Sequence, residues 1–314
     1  MSLARRRHEA RTGWLFITPA LLHLIVFALM PIAVAFVISL YKWQLFKPDG
    51  AFVAFNNYFY AFTEGPFWNA MWNSFRYAVV AVPLGMFVAL LVALLVNQKL
   101  AGITIFRTLF YVPAISSGVA IAMIWIYIYL PGTGLINTLT LRVFGKEGAL
   151  AKVIGAFGIA PYESIDFLAK PEWAMWALVF MSVWTGLGPR MVLFLAGLIG
   201  INPSLYEAAS LDGAGKLRCF WNVTLPMLVP TTFFVMVTST IGAMQVFTPV
   251  YMMTKGGPED TTDVVGYHIY TEAWVNFNTG LASSKSFILL AVVVAISFFQ
   301  FRMMKRQMEG YSAE

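Results

Sequence analysis

The stretch YAVVAVPLGMFVALLVALLVNQ, residues 77–98, is twenty-two residues long and contains no Asp, Glu, Lys or Arg. About 20 apolar residues in a helix cross a hydrocarbon core of about 30 Å. This stretch therefore predicts a membrane-spanning helix. Comparable stretches occupy much of the remaining chain. They are 12–41, 108–141, 173–206 (interrupted by Arg190), 219–254 and 286–301.

These apolar stretches predict an all-α, polytopic membrane protein with six transmembrane helices. The predicted spans are 14–40, 75–97, 107–130, 173–200, 226–251 and 283–302. They divide the chain into a basic N-terminal segment 1–13, a six-helix domain 14–302 and a tail 303–314.

Composition excludes several other classes of protein. Only 11% of the 314 residues are charged and 59% are hydrophobic, whereas a soluble domain carries about 25% charged residues. A single cysteine, Cys219, excludes an intrachain disulfide and a cysteine-based metal cluster. The net charge of +6 raises the question of nucleic acid. However, the basic residues are scattered among apolar stretches, which favours a membrane protein with basic tails and no nucleic-acid partner.

The distribution of charge predicts the orientation in the membrane. Arginines cluster before the first span, and basic residues follow the last one. Because short cytoplasmic segments are enriched in Lys and Arg, both termini are predicted to be cytoplasmic. A cleavable signal peptide is the alternative for the start of the chain. It is disfavoured because the apolar stretch 12–41 is too long and ends in no cleavage site.

The segment between the fourth and fifth spans, INPSLYEAASLDGAGKLRCFWNVTLPMLVP at 201–230, differs from a plain connector. Asn202 is a good helix cap, Pro203 suits a first helical turn, and Gly213 suits a helix end with positive φ. The pattern predicts a helix, a sharp glycine turn and a second helix on the cytoplasmic face, shaped to enter a groove on a partner. An ordinary interfacial loop is the alternative.

This segment also resembles the Glu-Ala-Ala loop of ATP-binding-cassette importer permeases. The resemblance lies in the triplet and in a glycine and a Leu-Pro pair at fixed distances, and it extends over nearly the whole chain. The matching positions, with Asp212 beside them, are Glu207, Ala208, Ala209, Gly213, Leu225 and Pro226. The resemblance implies a type I importer permease fold, with loop 201–225 coupling the chain to an ATPase. The chain resembles the larger-type permease subunits of carbohydrate uptake, similar to the maltose and glycerol-phosphate permeases.

The resemblance also implies an assembly in the bacterial cytoplasmic (inner) membrane. Its other members would be a second permease in a heterodimer, two ATPase subunits and an extracytoplasmic solute-binding protein, with a carbohydrate as substrate. The chain itself contains no G-x-x-x-x-G-K-[ST] sequence for holding a nucleotide phosphate. No cofactor is therefore expected in this chain, which is predicted not to be an enzyme, and ATP and Mg²⁺ are expected on the ATPase subunits.

Two other classes of function were compared with this one. An ion-coupled secondary transporter commonly carries carboxylates inside its spans, and the predicted spans contain none. An intramembrane enzyme is disfavoured because His8, His23 and His268 are dispersed along the chain. No metalloprotease or serine-hydrolase motif is present either.

The substrate path is predicted along helices four and five, which flank the coupling loop. Thr238, Gly242 and Gln245 form a small polar stripe, with Ser239 beside it. The sequence WTGLGPRM predicts a broken helix near Gly186, and broken helices are tolerated where they line a cavity. Close helix packing is the alternative explanation for the small residues.

Arg190 and Lys285 are unusual cations in predicted spans. No Asp or Glu lies within a span to neutralise them, and a buried charge without a partner is costly. They suggest a substrate that carries an anionic group. The alternatives are a neutral sugar, a purely structural Arg190, and a Lys285 that extends to the outer interface.

Overall fold

The structure is a computed structural model, and it describes residues 3–47, 50–98, 102–146, 148, 150 and 162–311, with side chains between 14 and 304. The basic side chains of 1–13 and 305–314, on which the predicted orientation partly depends, lie outside the described residues. The described part is helical and has no strand beyond two isolated β-bridges.

The helices are named here in chain order. They are α1 (Leu3–Leu24), α2 (Met30–Ser39), α3 (Asn56–Thr63), α4 (Gly65–Val96), α5 (Ile103–Ile115), α6 (Gly118–Tyr129), α7 (Leu135–Phe144), α8 (Pro171–Thr185), α9 (Leu187–Ile199), α10 (Pro203–Leu211), α11 (Lys216–Cys219), α12 (Leu225–Met227), α13 (Val229–Met244), α14 (Thr248–Met253), α15 (Val265–Tyr270) and α16 (Thr279–Tyr311). Short π-helical segments lie at Ile25–Leu29, Phe220–Thr224 and Thr271–Val275.

Four helical segments are long and apolar enough to cross a membrane. They are Trp14–Ser39, Gly65–Val96, Val229–Met253 and Thr279–Met304. Two bent pairs, α5 with α6 and α8 with α9, bring the number to six if each pair is one span. The membrane-spanning helices are thus present, and the predicted number corresponds to counting each bent pair once.

The two bends differ in how well the sequence indicated them. The bend between α8 and α9 is 48° and lies at Gly186, which confirms the predicted break. The third predicted span, 107–130, is bent by 100° between α5 and α6. Its prediction as one continuous helix is wrong, because Ser116 has an extended backbone and Ser117, with φ of −59° and ψ of 127°, is not helical either.

Helix α13 ends before the predicted end of the fifth span. The prediction was a spanning helix over about 226–251. The structure has a spanning segment Val229–Met253, in which α13 ends at Met244 and α14 begins at Thr248. Pro249 has no N–H to donate to the carbonyl four residues earlier, which is that of Gln245. The helix is therefore interrupted where Pro249 would have continued it.

The chain divides into two compact units, which are described separately. The first consists of Met1–Glu64 and Ile269–Ala291, and the second of Gly65–His268 and Val292–Glu314. In the second unit, α4, α9 and α13 share an apolar core. Ala89 and Ala93 lie one turn apart on α4 and are fully buried, with Met191, Phe194 and Val235 in the same core. Small residues at such positions let helices approach closely.

Candidate functional site

The segment predicted to couple to a partner has the predicted helix, turn and helix. The Asn202 side chain accepts a hydrogen bond from the Ser204 N–H (3.0 Å), and α10 begins at Pro203. Gly213 follows α10 with φ of +78°, a conformation that residues with a β-carbon resist. The Ala214 N–H then bonds to the Ala209 carbonyl (2.9 Å) and closes the turn. Helix α11 begins at Lys216.

Most of this segment is exposed in the isolated chain. Glu207, Ala208, Asp212 and Gly213 are exposed, and Ala209 is half-buried. Large apolar side chains are exposed as well, with Leu211 at 89% and Leu217 at 73%. Exposed apolar clusters of this kind commonly mark interaction sites.

The two ends of the segment are joined at its base. The hydroxyl groups of Tyr206 on α10 and Thr224 lie 2.9 Å apart and share a hydrogen bond. Leu225 and Pro226, the last two positions of the signature, are half-buried in α12. The signature positions thus form an exposed tip, from Glu207 to Gly213, and a half-buried base.

The second unit contains a cavity of about 440 Å³ beside the bend between α8 and α9. Its lining combines hydroxyl groups, glycines and apolar side chains with one charged residue, Arg190. The lining residues are Tyr77, Ala81, Gly118, Met181, Ser182, Thr185, Gly186, Pro189, Arg190, Leu193, Thr238, Ser239, Gly242, Ala243, Val246, Thr248 and Pro249. The described lining offers no His, Cys or carboxylate, which are the usual protein ligands for a metal.

The guanidinium of Arg190 is held between two glycines. A methyl group built on Gly186 would lie 2.7 Å from Nη1 of Arg190, and one built on Gly85 of α4 would overlap the same nitrogen. Nε donates a hydrogen bond to Oγ of Ser239 on α13 (3.1 Å). Nη1 is buried and has no hydrogen-bond partner within the described part of the chain.

Most of the predicted path residues meet at this cavity. Gly186, Arg190, Ser239 and Gly242 all contribute to its lining, as does Thr238. Gln245 lies beyond the end of α13 with an exposed side chain and is not among the lining residues. Sequence reasoning missed the contributions of Tyr77, Ser182 and Thr185. Ser182 and Thr185 lie in the turn before the predicted break at Gly186, which was the available signal.

Lys285 lies in a different cluster, in the first unit. It is fully buried, and its Nζ lies 2.8 Å from Glu64 and 3.1 Å from Glu272. Asn278 donates a further hydrogen bond to Glu272 (2.8 Å). The sequence shows no Asp or Glu within the predicted spans, and this remains true. Glu64 and Glu272 lie outside those spans and neutralise Lys285 within the same chain.

The same contacts affect the acidity of Glu272, which lies outside the spanning segments. Burial by itself would raise the pKa of its carboxyl group. The hydrogen bond from Asn278 and the positive charge of Lys285 outweigh this effect and hold the pKa below its ordinary value. Glu272 therefore remains a carboxylate and forms a charged pair with Lys285.

Comparison with known proteins supports the class that the fold and the exposed loop define, an α-helical membrane permease with the type I importer fold. One chain of a crystal structure titled as a bacterial ABC transporter involved in the import of the acidic polysaccharide alginate has this fold. Its TM-score is 0.77 at 23% identity, and the match covers 96% of this chain and 99% of that chain.

Residues 81–308 match the family described as binding-protein-dependent transport system inner membrane component. The chain belongs to this family, which confirms the resemblance carried by the Glu-Ala-Ala segment.

Three curated relatives match almost end to end. The probable ABC transporter permease protein YesP of Bacillus subtilis (strain 168) is 32% identical over 94% of this chain and 91% of its own. The lactose transport system permease protein LacF of Rhizobium radiobacter is 32% identical, over 94% and 95%. The sn-glycerol-3-phosphate transport system permease protein UgpA of Rhizobium meliloti (strain 1021) is 30% identical, over 94% of each chain.

Proposed function

We propose that this chain forms half of the translocation path of an ATP-driven importer for a carbohydrate or a related polyol. Two relatives are named for the transport of lactose and of sn-glycerol 3-phosphate. Both substrates are polyhydroxylated, and one of them is anionic. The hydroxyl groups of Tyr77, Ser182, Thr185 and Ser239 at the cavity suit such molecules, since each can donate or accept a hydrogen bond.

One observation carries the proposal: the exposed loop 201–225 directly connects two walls of the cavity. Arg190 and Leu193 of α9 line the cavity on one side of the loop, and Thr238 and Ser239 of α13 line it on the other. A displacement of the loop therefore acts on both walls. In the proposed cycle the ATPase dimer closes, the coupling loops move, and the cavity turns outward to receive substrate.

The proposed partners are a second permease, two ATPase subunits that hold ATP and Mg²⁺, and an extracytoplasmic solute-binding protein. The family description supports dependence on a binding protein. The exposed leucines of the loop support a docking role toward the ATPase. An ion-coupled transporter is the alternative, and the lack of a carboxylate in the described cavity lining argues against it.

The proposal predicts the docking partner of the loop. We expect Leu217→Asp to reduce co-purification of the ATPase subunits from native membranes by tenfold or more, because a buried apolar contact would become a desolvated charge. The control is Leu139→Asp, since Leu139 is also an exposed leucine but lies in α7. Normal recovery of the ATPase with Leu217→Asp, or recovery of no ATPase with the unaltered chain, would contradict the proposal.

The proposal also predicts the orientation in the bacterial cytoplasmic membrane, with both termini and loop 201–225 on the cytoplasmic side. On a Cys219→Ser background, an impermeant thiol reagent added to intact cells should label Ala169→Cys and leave Ser204→Cys unlabelled until the cells are opened. Both positions are exposed in the chain. Labelling of position 204 in intact cells would refute this orientation.

A further inference from the structure

Arg190 is the only charged residue among the described residues that line the cavity of the second unit. Its only hydrogen bond within the described part of the chain is the one from Nε to Ser239. No carboxylate forms an ion pair with it there, because the ion pairs of the described residues involve other groups. A guanidinium offers five N–H donors, so most of its capacity is unused.

Arg107 shows what a structural arginine does in the same unit. Its Nη2 donates to the backbone carbonyl of Val96 at the C-terminal end of α4, at 2.7 Å. There a cation satisfies a carbonyl that the helix leaves unbonded. Among the described residues Arg190 has no such carbonyl partner, and it lies at a cavity instead. Arg107 also leaves a buried nitrogen, Nε, without a partner among the described residues. The position at a cavity is therefore what distinguishes Arg190 from Arg107.

The surroundings of Arg190 also fix where the guanidinium lies. The space for Nη1 exists because positions 85 and 186 lack β-carbons. Ser239 holds Nε from the opposite helix. The planar guanidinium is thus oriented before any ligand arrives. A charged donor group held in one orientation suits a carboxylate or phosphate better than a single hydroxyl group.

We propose that the transported substrate carries a carboxylate, phosphate or sulfonate group, and that Arg190 binds this group during passage. The inference rests on the import function proposed above and adds the charge of the substrate. The sugar or polyol part would contact the hydroxyl groups of the lining, and the anionic group would bind the part of the guanidinium that faces the cavity. An acid supplied to Arg190 by the second permease is the competing explanation.

The test uses the complete transporter in vesicles together with its solute-binding protein. The small molecule released on denaturing the solute-binding protein purified from cells is identified by mass spectrometry and then used, radiolabelled, as the uptake probe. We expect an acidic molecule. With Arg190→Gln, its uptake should fall by about tenfold or more, because hydrogen bonds to a charged group are lost. Arg190→Lys should recover part of the uptake, since the charge remains and the fork is lost.

Two further variants separate substrate binding from assembly. Gly85→Ala should fold, because only the flexible end of Arg190 must move, and it should raise the KM for the acidic probe. Arg76→Gln removes an exposed cation from the same helix and should leave uptake unchanged. ATPase co-purification is measured on every variant, so that loss of the assembly is distinguished from loss of substrate binding.

Three results would overturn the proposal. One is a neutral molecule in the solute-binding protein, which would leave the import function intact. Another is unchanged uptake of the acidic probe by both Arg190 variants. A third is dissociation of the two permeases in Arg190→Gln, with the KM for the acidic probe unchanged in Gly85→Ala. That last result would assign Arg190 to an acid of the second permease.

Discussion

Gly213→Val is expected to abolish substrate-stimulated ATP hydrolysis and uptake while the chain still inserts into the membrane. Gly213 has φ of +78°, and open space surrounds the position of its missing β-carbon. The cost of the substitution is therefore backbone strain. A β-branched residue in this conformation costs about 1–3 kcal/mol. The turn between α10 and α11 would open to relieve that strain, and the loop would lose its shape.

The loop supplies its own control. Gly215 also has open space around its missing β-carbon, but its φ is −71° with an extended ψ, which valine adopts without strain. Gly215→Val should therefore retain ATPase stimulation. Gly213→Asn should retain most of it, since Asn tolerates the left-handed conformation. Normal stimulation in Gly213→Val, measured with the assembled transporter, would show that the turn does not transmit the signal.

Lys285→Met should produce the largest loss of stability. It would leave the half-buried Glu64 and the buried Glu272 without the cation that lies 2.8 and 3.1 Å from them. Removing one partner of a buried ion pair costs about 3–5 kcal/mol. Thermal unfolding of the purified chain in lipid nanodiscs should show a lower Tm. The triple variant with Glu64→Gln and Glu272→Gln should regain much of the loss, because no uncompensated charge remains.

The loss of stability in Lys285→Met is expected to depend on pH in a definite direction. The pKa of Glu272 is lower in the folded chain than in the unfolded chain. Its contribution to stability is therefore full above the unfolded value and is lost as pH falls through the folded value. In Lys285→Met the effect of pH on stability reverses, since protonation of Glu272 removes a buried negative charge that no longer has its cation. The difference in Tm between the variant and the natural chain should shrink on acidification. A constant difference would contradict the ion-pair assignment.

The coupling segment was the part best predicted from the sequence, for a local reason. A helix cap at Asn202, a proline at the next position and a glycine at the turn act within a few residues of themselves. Their effect does not depend on what the rest of the chain does. The break at Gly186 was predicted for the same reason, from two glycines and a proline within four residues.

The features that escaped sequence analysis depend on residues distant in the chain. Lys285 meets Glu64 across more than two hundred positions, and no periodicity links them. The sequence does not distinguish Gly85 from any other small residue in an apolar helix. Its importance comes from the guanidinium of Arg190, which lies against it. The bend at Ser116 and Ser117 was missed because the surrounding residues are as apolar as those of a continuous span.

The pocket for the guanidinium also constrains how this protein can change over time. Glycine inside a helix costs about 0.5–1 kcal/mol relative to alanine, so drift would favour alanine at position 85 within α4. Position 186, at the bend between α8 and α9, has φ of −83° and would also accept alanine without backbone strain. As long as Arg190 is present, either replacement displaces it. The arginine must therefore be lost first, after which both glycines are free to vary. Among descendants of this transporter, alanine at position 85 or 186 should appear only in lineages in which Arg190 has already been replaced.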